Sequence, residues 1–290
     1  MVLWHAPRVL PGLISFTPPS AIQIGPLPIG LYGLGYVLAI AVMLWVSQGE
    51  ARFRGLDPTL VTGALIPVAL CAIIGARLYH VIDQWLDYRD HLAAIVLPPY
   101  SGLGLYGGIA GAVVGIAWHV RRHHLPLWLA LDVVVPGTLF AQAIARWGNF
   151  FNQELYGPPT DLPWGITIDC DHRIGQYLCD GVPALPAATT GFHPLFLYES
   201  IWVALGGLVA LWLSRRHLPQ LRNGDLASFW MVWYGGGRLV LESLRQGWDW
   251  TILGIPTAML IGVGLVALGV GTVIWRHARP TAPAADMPAA

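Results

Sequence analysis

The stretch Tyr234-Gly-Gly-Gly-Arg238-Leu-Val-Leu-Glu242-Ser-Leu-Arg245 carries polar groups at spacings of four, four and three. On an α-helix these positions fall within an arc of about 80°, so Tyr234, Arg238, Glu242 and Arg245 form one polar stripe on an otherwise apolar helix. An Arg–Glu pair could simply tie two helices together, but that role leaves the second arginine on the same face without a purpose. Three glycines before Arg238 allow a backbone or a lipid head group to come close. A second group, Arg146-Trp-Gly-Asn149-Phe-Phe-Asn-Gln-Glu154-Leu-Tyr-Gly157, is rich in residues that bind or turn rather than pack. A third, His193-Pro194-Leu-Phe-Leu-Tyr198-Glu199, opens an apolar run, and a lone histidine there is more often a satisfied cap than a catalyst. In Tyr106-Gly107-Gly108, continued by Gly111 and Gly115, the four-residue spacing is that of close helix packing and leaves Tyr106 unexplained. Guanidinium groups stay charged when desolvated and match phosphate in a two-pronged way. The chemistry this set suggests is recognition of an anionic lipid head group.

The elements that must position these residues follow from composition. Of 290 residues, 55% are hydrophobic and 11% charged, and mean hydropathy is +0.57. A soluble domain carries about 25% charged residues, so a soluble globular, disordered or nucleic-acid-binding protein is excluded. Seven apolar runs are long enough to cross a bilayer, at about 28–47, 59–80, 103–120, 125–145, 195–213, 226–244 and 252–275. The expected fold is therefore an all-α polytopic membrane protein of seven transmembrane helices. The third and fourth spans, joined by a few residues, are expected to pair as a hairpin. Residues 1–27 lack the basic, apolar and cleavage regions of a signal peptide and read as a surface segment.

All sixteen basic residues are arginine. Arg52, Arg54, Arg121, Arg122, Arg215, Arg216, Arg222, Arg276 and Arg279 gather in alternate loops, whereas Asp83, Asp87, Asp90, Asp161, Asp169, Asp171, Asp180 and Asp249 occupy the others. This asymmetry predicts an external N-terminus and a cytoplasmic C-terminus. Residues 1–279 read as one integral membrane domain with an external insert at 146–194, and 280–290 as a disordered cytoplasmic tail. Cys170 and Cys179 lie in the insert, where a disulfide and two free thiols both remain open. No cysteine or histidine cluster has metal-ligand spacing, and neither a metal nor a cofactor is expected. Arg77, Arg146, Arg238 and Arg245 lie in or beside apolar spans, and ionisable groups there mark function by default. A transporter gated by Arg–Glu pairs is the competing class, but no inverted repeat or paired broken helices are apparent.

Taken together, Arg146-x-x-Asn149 through Glu154 and Gly157, His193-Pro194 through Tyr198-Glu199, and Tyr234-x3-Arg238-x3-Glu242-x2-Arg245 resemble the bacterial prolipoprotein diacylglyceryl transferase family. Tyr32-Gly33 and Gly75-Ala76-Arg77 add to the resemblance, which spans about residues 25 to 275 in the family's order. The resemblance implies a multi-pass enzyme of the bacterial inner membrane. Its substrates would be phosphatidylglycerol and the lipobox cysteine in a prolipoprotein signal peptide. It would transfer diacylglyceryl to that thiol and release glycerol phosphate, the first step of lipoprotein maturation. Many members have histidine where this chain has Tyr106, and a phenol with a pKa near 10 is a weak base for a thiol near 8.5. On this reading Arg146 and Arg238 clamp phosphate and Glu242 orients Arg238, while Tyr106 assists the thiol or the phosphate. Tyr32, Arg77, Asn149, Glu154, Gly157, His193, Tyr234 and Arg245 complete the substrate site. Membrane lipid is the expected surrounding partner, and nucleic acid is not.

Overall fold

A computed structural model describes residues 18–89, 91–95, 102, 104–180, 185–186, 190–245 and 251–279, with the side chains of Leu105 and Tyr106 outside that set. The expected tail at 280–290 and most of the 1–27 segment lie outside the described residues. A hairpin of β1 (Ala21–Ile24) and β2 (Leu27–Gly30) leads into α1 (Leu31–Phe53). Then come α2 (Thr59–Asp83), the single turn α3 (Trp85–Tyr88), α4 (Leu105–Arg122), α5 (Leu127–Phe151), α6 (Leu195–His217) and α7 (Asp225–Leu244). A two-residue hairpin, β3 (Thr251–Ile252) with β4 (Ile255–Pro256), precedes α8 (Thr257–Ala278).

Each of the seven expected runs overlaps one long helix, in order α1, α2, α4, α5, α6, α7 and α8. Among the described residues, five segments are long and apolar enough to cross a membrane: α1, α2, α5, Leu195–Gln220 and α8. The other two are α4, which ends in Arg121-Arg122, and α7, which carries the polar stripe. Large apolar side chains such as Val37, Ile66, Ile73, Val263 and Ile274 are exposed along the helices, as lipid-facing surfaces require. The chain is a multi-pass membrane protein.

Local signals explain the helix ends. Asp57 accepts the Thr59 backbone N–H at 2.8 Å and its hydroxyl at 2.6 Å, satisfying donors that the start of α2 would otherwise leave free. Left-handed Gly224, with φ 101°, precedes α7. Beside it, Asp225 accepts the Arg222 backbone N–H at 2.8 Å. The expected fourth span stops too early, since α5 runs on to Phe151. Trp147, Phe150 and Phe151 extend its apolar face, with Trp147 and Phe150 meeting Phe196 at ring separations of 5.6 and 5.2 Å. The helix breaks only where Gln153 and Leu155 turn left-handed, with φ of 51° and 56°. Arg146 and Asn149 therefore stand on the last turns of a helix, not in a loop.

The chain divides into two compact units, Met1–Met43 with Val135–Ala290, and Leu44–Val134. In the first, α7 packs along α8 and meets α6. Between α6 and α7, Trp202 and Trp233 stack at 4.5 Å with an 18° tilt, and each indole N–H donates to the other's backbone carbonyl at 3.0 and 2.9 Å. Each indole also fills the space a side chain would need at the opposing glycine: a Cβ on Gly206 would sit 2.5 Å from the Trp233 Nε1, and one on Gly237 would sit 2.3 Å from the Trp202 Nε1. Gly235 meets the carbonyl of Gly262 on α8, so two of the three glycines before Arg238 serve helix packing.

The segment after Phe151 is folded around its own core of Tyr156, Ile166, Ile168, Phe192 and Phe196. Gln153 and Asp169 exchange two hydrogen bonds, at 2.6 and 2.8 Å. Cys170 and Cys179 are joined by a disulfide with Cα atoms 5.6 Å apart, which resolves the choice left open above. Buried Arg173 donates to the carbonyls of Ile168 and Leu185 and lies over the Phe192 ring. Burial pushes the Tyr156 phenol above its ordinary pKa. Kept protonated, it donates to the His172 carbonyl and accepts the Ile174 N–H.

In the second unit the close partner of α4 is α2. A Cβ at Gly107 would come within 2.1 Å of the Gly75 carbonyl oxygen, and one at Gly111 within 2.0 Å of the Cys71 carbonyl oxygen. The glycine stripe is thus used as its spacing suggested, with backbone against backbone. Arg54, grouped above with the solvated loop arginines, is instead nearly enclosed and pairs with buried Glu50 at 2.7 Å and buried Asp132 at 3.9 Å.

Candidate active site

The first unit brings the residues of three separated motifs into one alternating chain of charge. It starts at Glu154, whose Oε1 accepts the Asn149 amide at 2.7 Å. Asn149 Oδ1 in turn accepts from Arg146 Nη1 at 3.4 Å. Arg146 Nη2 lies 2.6 Å from Glu199 Oε1, an ion pair without the alignment of a hydrogen bond. The other Glu199 oxygen is 3.6 Å from Arg238 Nη1. Arg238 Nη2 meets Glu242 Oε2 at 2.8 Å, and Glu242 Oε1 is 3.6 Å from Arg245 Nη1.

Helix geometry explains why these groups meet. Arg146 and Asn149 are three apart on α5, and Arg238 and Glu242 four apart on α7, so each pair shares a face. Glu199 sits on the first turns of α6. The interlocked Trp202 and Trp233 hold α6 against α7 nearby. In sequence Glu199 stands only as the end of the His193-Pro194 motif, outside the expected site. Its signal was present, since a carboxylate inside an apolar run is costly unless it is paired. What the sequence could not supply was that its partners come from two other helices.

Burial gives the chain of charge a direction. The Glu242 and Glu199 side chains are 2% and 9% exposed, whereas Arg238, Arg146 and Arg245 are 16%, 25% and 26% exposed. The Glu199 and Glu242 carboxylates lie beneath the guanidinium groups they pair with. Glu154, at the end of the chain of charge, is exposed; over Glu199 and Glu242 the accessible groups are the guanidinium edges of Arg146, Arg238 and Arg245. Such a surface can receive an anion without first having to bury an arginine.

The remaining expected residues divide. The Tyr32 ring lies on Gly148, where a Cβ would be 2.8 Å from Tyr32 Cδ2, and its hydroxyl is 3.2 Å from that of Tyr36. Tyr234 stacks on Trp230 at 5.4 Å with rings nearly parallel, one turn before Arg238. Gly157 donates its N–H to the His193 carbonyl at 2.9 Å, and a Cβ on it would strike His193 Cβ at 2.9 Å. His193 Nδ1 is 3.1 Å from the Tyr198 hydroxyl, which also accepts from the Trp164 indole at 2.8 Å. His193 is thus a satisfied, half-buried residue that ties the insert to the start of α6. In the second unit Arg77 donates to protein acceptors on the segment after α2 instead of presenting a free guanidinium edge. Tyr106 is the second residue of α4, and its side chain lies outside the described residues. No group of three or more metal-binding side chains occurs among the described residues.

Apolar helices long enough to cross a bilayer, with the enclosed carboxylates Glu199 and Glu242 paired to half-open arginines, define a multi-pass membrane protein with a buried cluster of ion pairs. The family described as prolipoprotein diacylglyceryl transferase matches residues 19–275, and the chain belongs to it. It is 37% identical over 263 residues to the phosphatidylglycerol–prolipoprotein diacylglyceryl transferase of Synechococcus elongatus, covering 89% of this chain and 86% of that protein. The protein of the same name from Symbiobacterium thermophilum is 37% identical over 269 residues, covering 92% and 96%. That from Trichormus variabilis is 34% identical over 276 residues, covering 93% and 94%.

Proposed function

We propose that the protein transfers the diacylglyceryl group of phosphatidylglycerol to the lipobox cysteine of prolipoproteins in the bacterial inner membrane. Seven helices would span the bilayer, N-terminus outside and C-terminus in the cytoplasm, with the 146–194 segment external. The thiol sulfur forms a bond to the glyceryl carbon that carries the phosphate. The carbon–oxygen bond breaks, its electron pair goes to the phosphate oxygen, and glycerol phosphate leaves. That oxygen can take up the thiol's proton, so stabilising the developing phosphate charge and holding the two substrates together matter more than a strong base.

The observation that carries this reading is the layering of the enclosed Glu199 and Glu242 carboxylates beneath half-open Arg146, Arg238 and Arg245. Arg146 and Arg238 would clamp the phosphate, with Glu199 and Glu242 fixing their orientation and Arg245 completing the cationic edge. Asn149 and Glu154 would bind the glycerol head group, and Tyr32 and Tyr234 would line the site. By its place in the motif shared with the family, Tyr106 is assigned to the thiol or the phosphate. Gly157 and His193 act through the fold that holds Glu199.

The test is incubation of the purified protein in vesicles with acyl-labelled phosphatidylglycerol and a lipobox peptide. The reading expects a thioether-linked diacylglyceryl peptide and none with a Cys→Ser peptide. Label transfer to the serine peptide, or no transfer to either, would refute it.

A further inference from the structure

The second unit contains an arginine whose task the transfer chemistry does not explain. Arg77 lies on α2, inside a span long and apolar enough to cross the membrane. Its Nε donates to the Ile95 carbonyl at 3.1 Å and its Nη2 to the Ala94 carbonyl at 2.7 Å. Its Nη1 donates to the Tyr88 hydroxyl at 3.1 Å and to the Gly102 carbonyl at 3.2 Å. All three guanidinium nitrogens are therefore committed to protein oxygens, and every one of these acceptors lies on the excursion between α2 and α4. An arginine used in this way is unsuited to clamp a phosphate, because a two-pronged grip would break contacts it already makes.

The far end of that excursion leads directly to Tyr106. Gly102 has φ +82°, and a Cβ there would overlap the His80 ring at 2.0 Å. Gly104 donates its N–H to the carbonyl of Ala76, the residue before Arg77, at 2.9 Å. A Cβ on Gly104 would be 2.2 Å from the Tyr79 ring, and one on Gly107 would be 2.1 Å from the Gly75 carbonyl oxygen. The start of α4 is thus registered on α2 by backbone contact on either side of Tyr106. Arg77 fastens the peptide from which that start departs.

We propose that Arg77 is a positioning residue that fixes the first turn of α4, and with it Tyr106, rather than a ligand for substrate. The functional half of this inference rests on the transferase reading, which gives Tyr106 a role at the reacting groups. Displacement of a positioned group by about 1 Å can cost on the order of 100-fold in rate, so a remote tether can act through the turnover number alone. Lysine at position 77 keeps the charge but loses the fork that reaches several acceptors at once.

The experiment compares wild type, Arg77→Lys, Tyr106→Phe and the double variant in vesicles, measuring kcat and KM for phosphatidylglycerol. Backbone hydrogen exchange over residues 104–108 is followed in the same preparations. Arg77→Lys should lower kcat by about tenfold with KM changed by less than about twofold, and should lower kcat by less than about twofold further in the Tyr106→Phe background. Exchange over 104–108 should accelerate about tenfold while α5 to α8 remain protected. A raised KM in place of a lower kcat, equal losses in both backgrounds, a fully active Tyr106→Phe or unchanged exchange would each overturn the proposal. Should Arg77→Lys fail to fold, Tyr88→Phe removes one acceptor and should show the same pattern at smaller size. If the wild-type protein transfers nothing, the transferase reading fails, and the exchange measurement alone decides whether Arg77 holds the turn.

Discussion

The Glu199 carboxylate meets the Arg146 guanidinium at 2.6 Å while remaining almost enclosed, so one helix supplies the anion that orients another helix's cation. Its second oxygen faces Arg238, which makes Glu199 the joint between the two proposed phosphate ligands. Glu199→Gln keeps the shape and removes the charge. Transfer should fall by about tenfold or more with the fold retained, because both arginines lose the group that aims them. Steady-state kinetics together with thermal melting separates this from simple destabilisation.

Arg146→Ala and Arg238→Ala should each lower kcat by about 100- to 1000-fold, the range expected when a preorganised donor to a developing oxyanion is lost. Lysine at either position should restore only part of the loss, since it cannot engage phosphate with two prongs. Arg245→Ala should be milder, because Arg245 is 3.6 Å from its carboxylate whereas Arg146 and Arg238 meet theirs at 2.6 and 2.8 Å. The ratio of the three turnover numbers checks this order.

Gly237→Ala places a methyl group where the Trp202 indole lies. The α6–α7 pair must part or the indole must turn, at a cost of about 1–3 kcal/mol. Activity should fall with stability, since Glu199 and Arg238 sit on those two helices. Trp202→Leu in the same chain should recover part of the melting temperature.

Tyr106→His installs the residue many family members carry at this position. If that position serves one role throughout the family, the variant should transfer at a rate within about tenfold of wild type. A well-folded but inactive protein, assayed under the same conditions, would count against a shared role.

Joining Cys170 to Cys179 closes a short loop beside the reciprocal Gln153–Asp169 pair. Replacing both cysteines by serine should remove about 2–3 kcal/mol from the stability of the insert. Limited proteolysis should then cut within residues 152–194 first, with the helices still intact.

Local relationships were readable from the sequence, and those spanning distant segments were not. The stripe from Tyr234 to Arg245 and the Arg238–Glu242 pair follow from helical periodicity alone. So does the close packing of Gly107, Gly111 and Gly115, although their partner, α2, could not be read. Glu199 gains its importance only from Arg146 and Arg238, which lie on other helices. The reciprocal Trp202–Trp233 lock is equally non-local, since the two indoles come from different helices. Arg77 was legible as an ionisable group in an apolar span, but its acceptors are mostly backbone carbonyls, which carry no residue code. Arg54 followed the loop asymmetry in sequence, yet it is enclosed because Glu50 and Asp132 fold against it. The end of α5 extends past the expected boundary because Arg146 and Asn149, polar residues that resemble the start of a loop, share one helix face three residues apart.

The measurement that bears most directly on the proposed reaction is its product balance. Wild-type protein is incubated in vesicles containing phosphatidylglycerol labelled separately in the acyl chains and the head group, with a lipobox peptide in excess. The account predicts one glycerol phosphate released for each diacylglyceryl thioether formed, with both products absent for Arg238→Ala. Release of phosphatidic acid or free fatty acid in place of glycerol phosphate, or peptide modification that survives in Arg238→Ala, would contradict it.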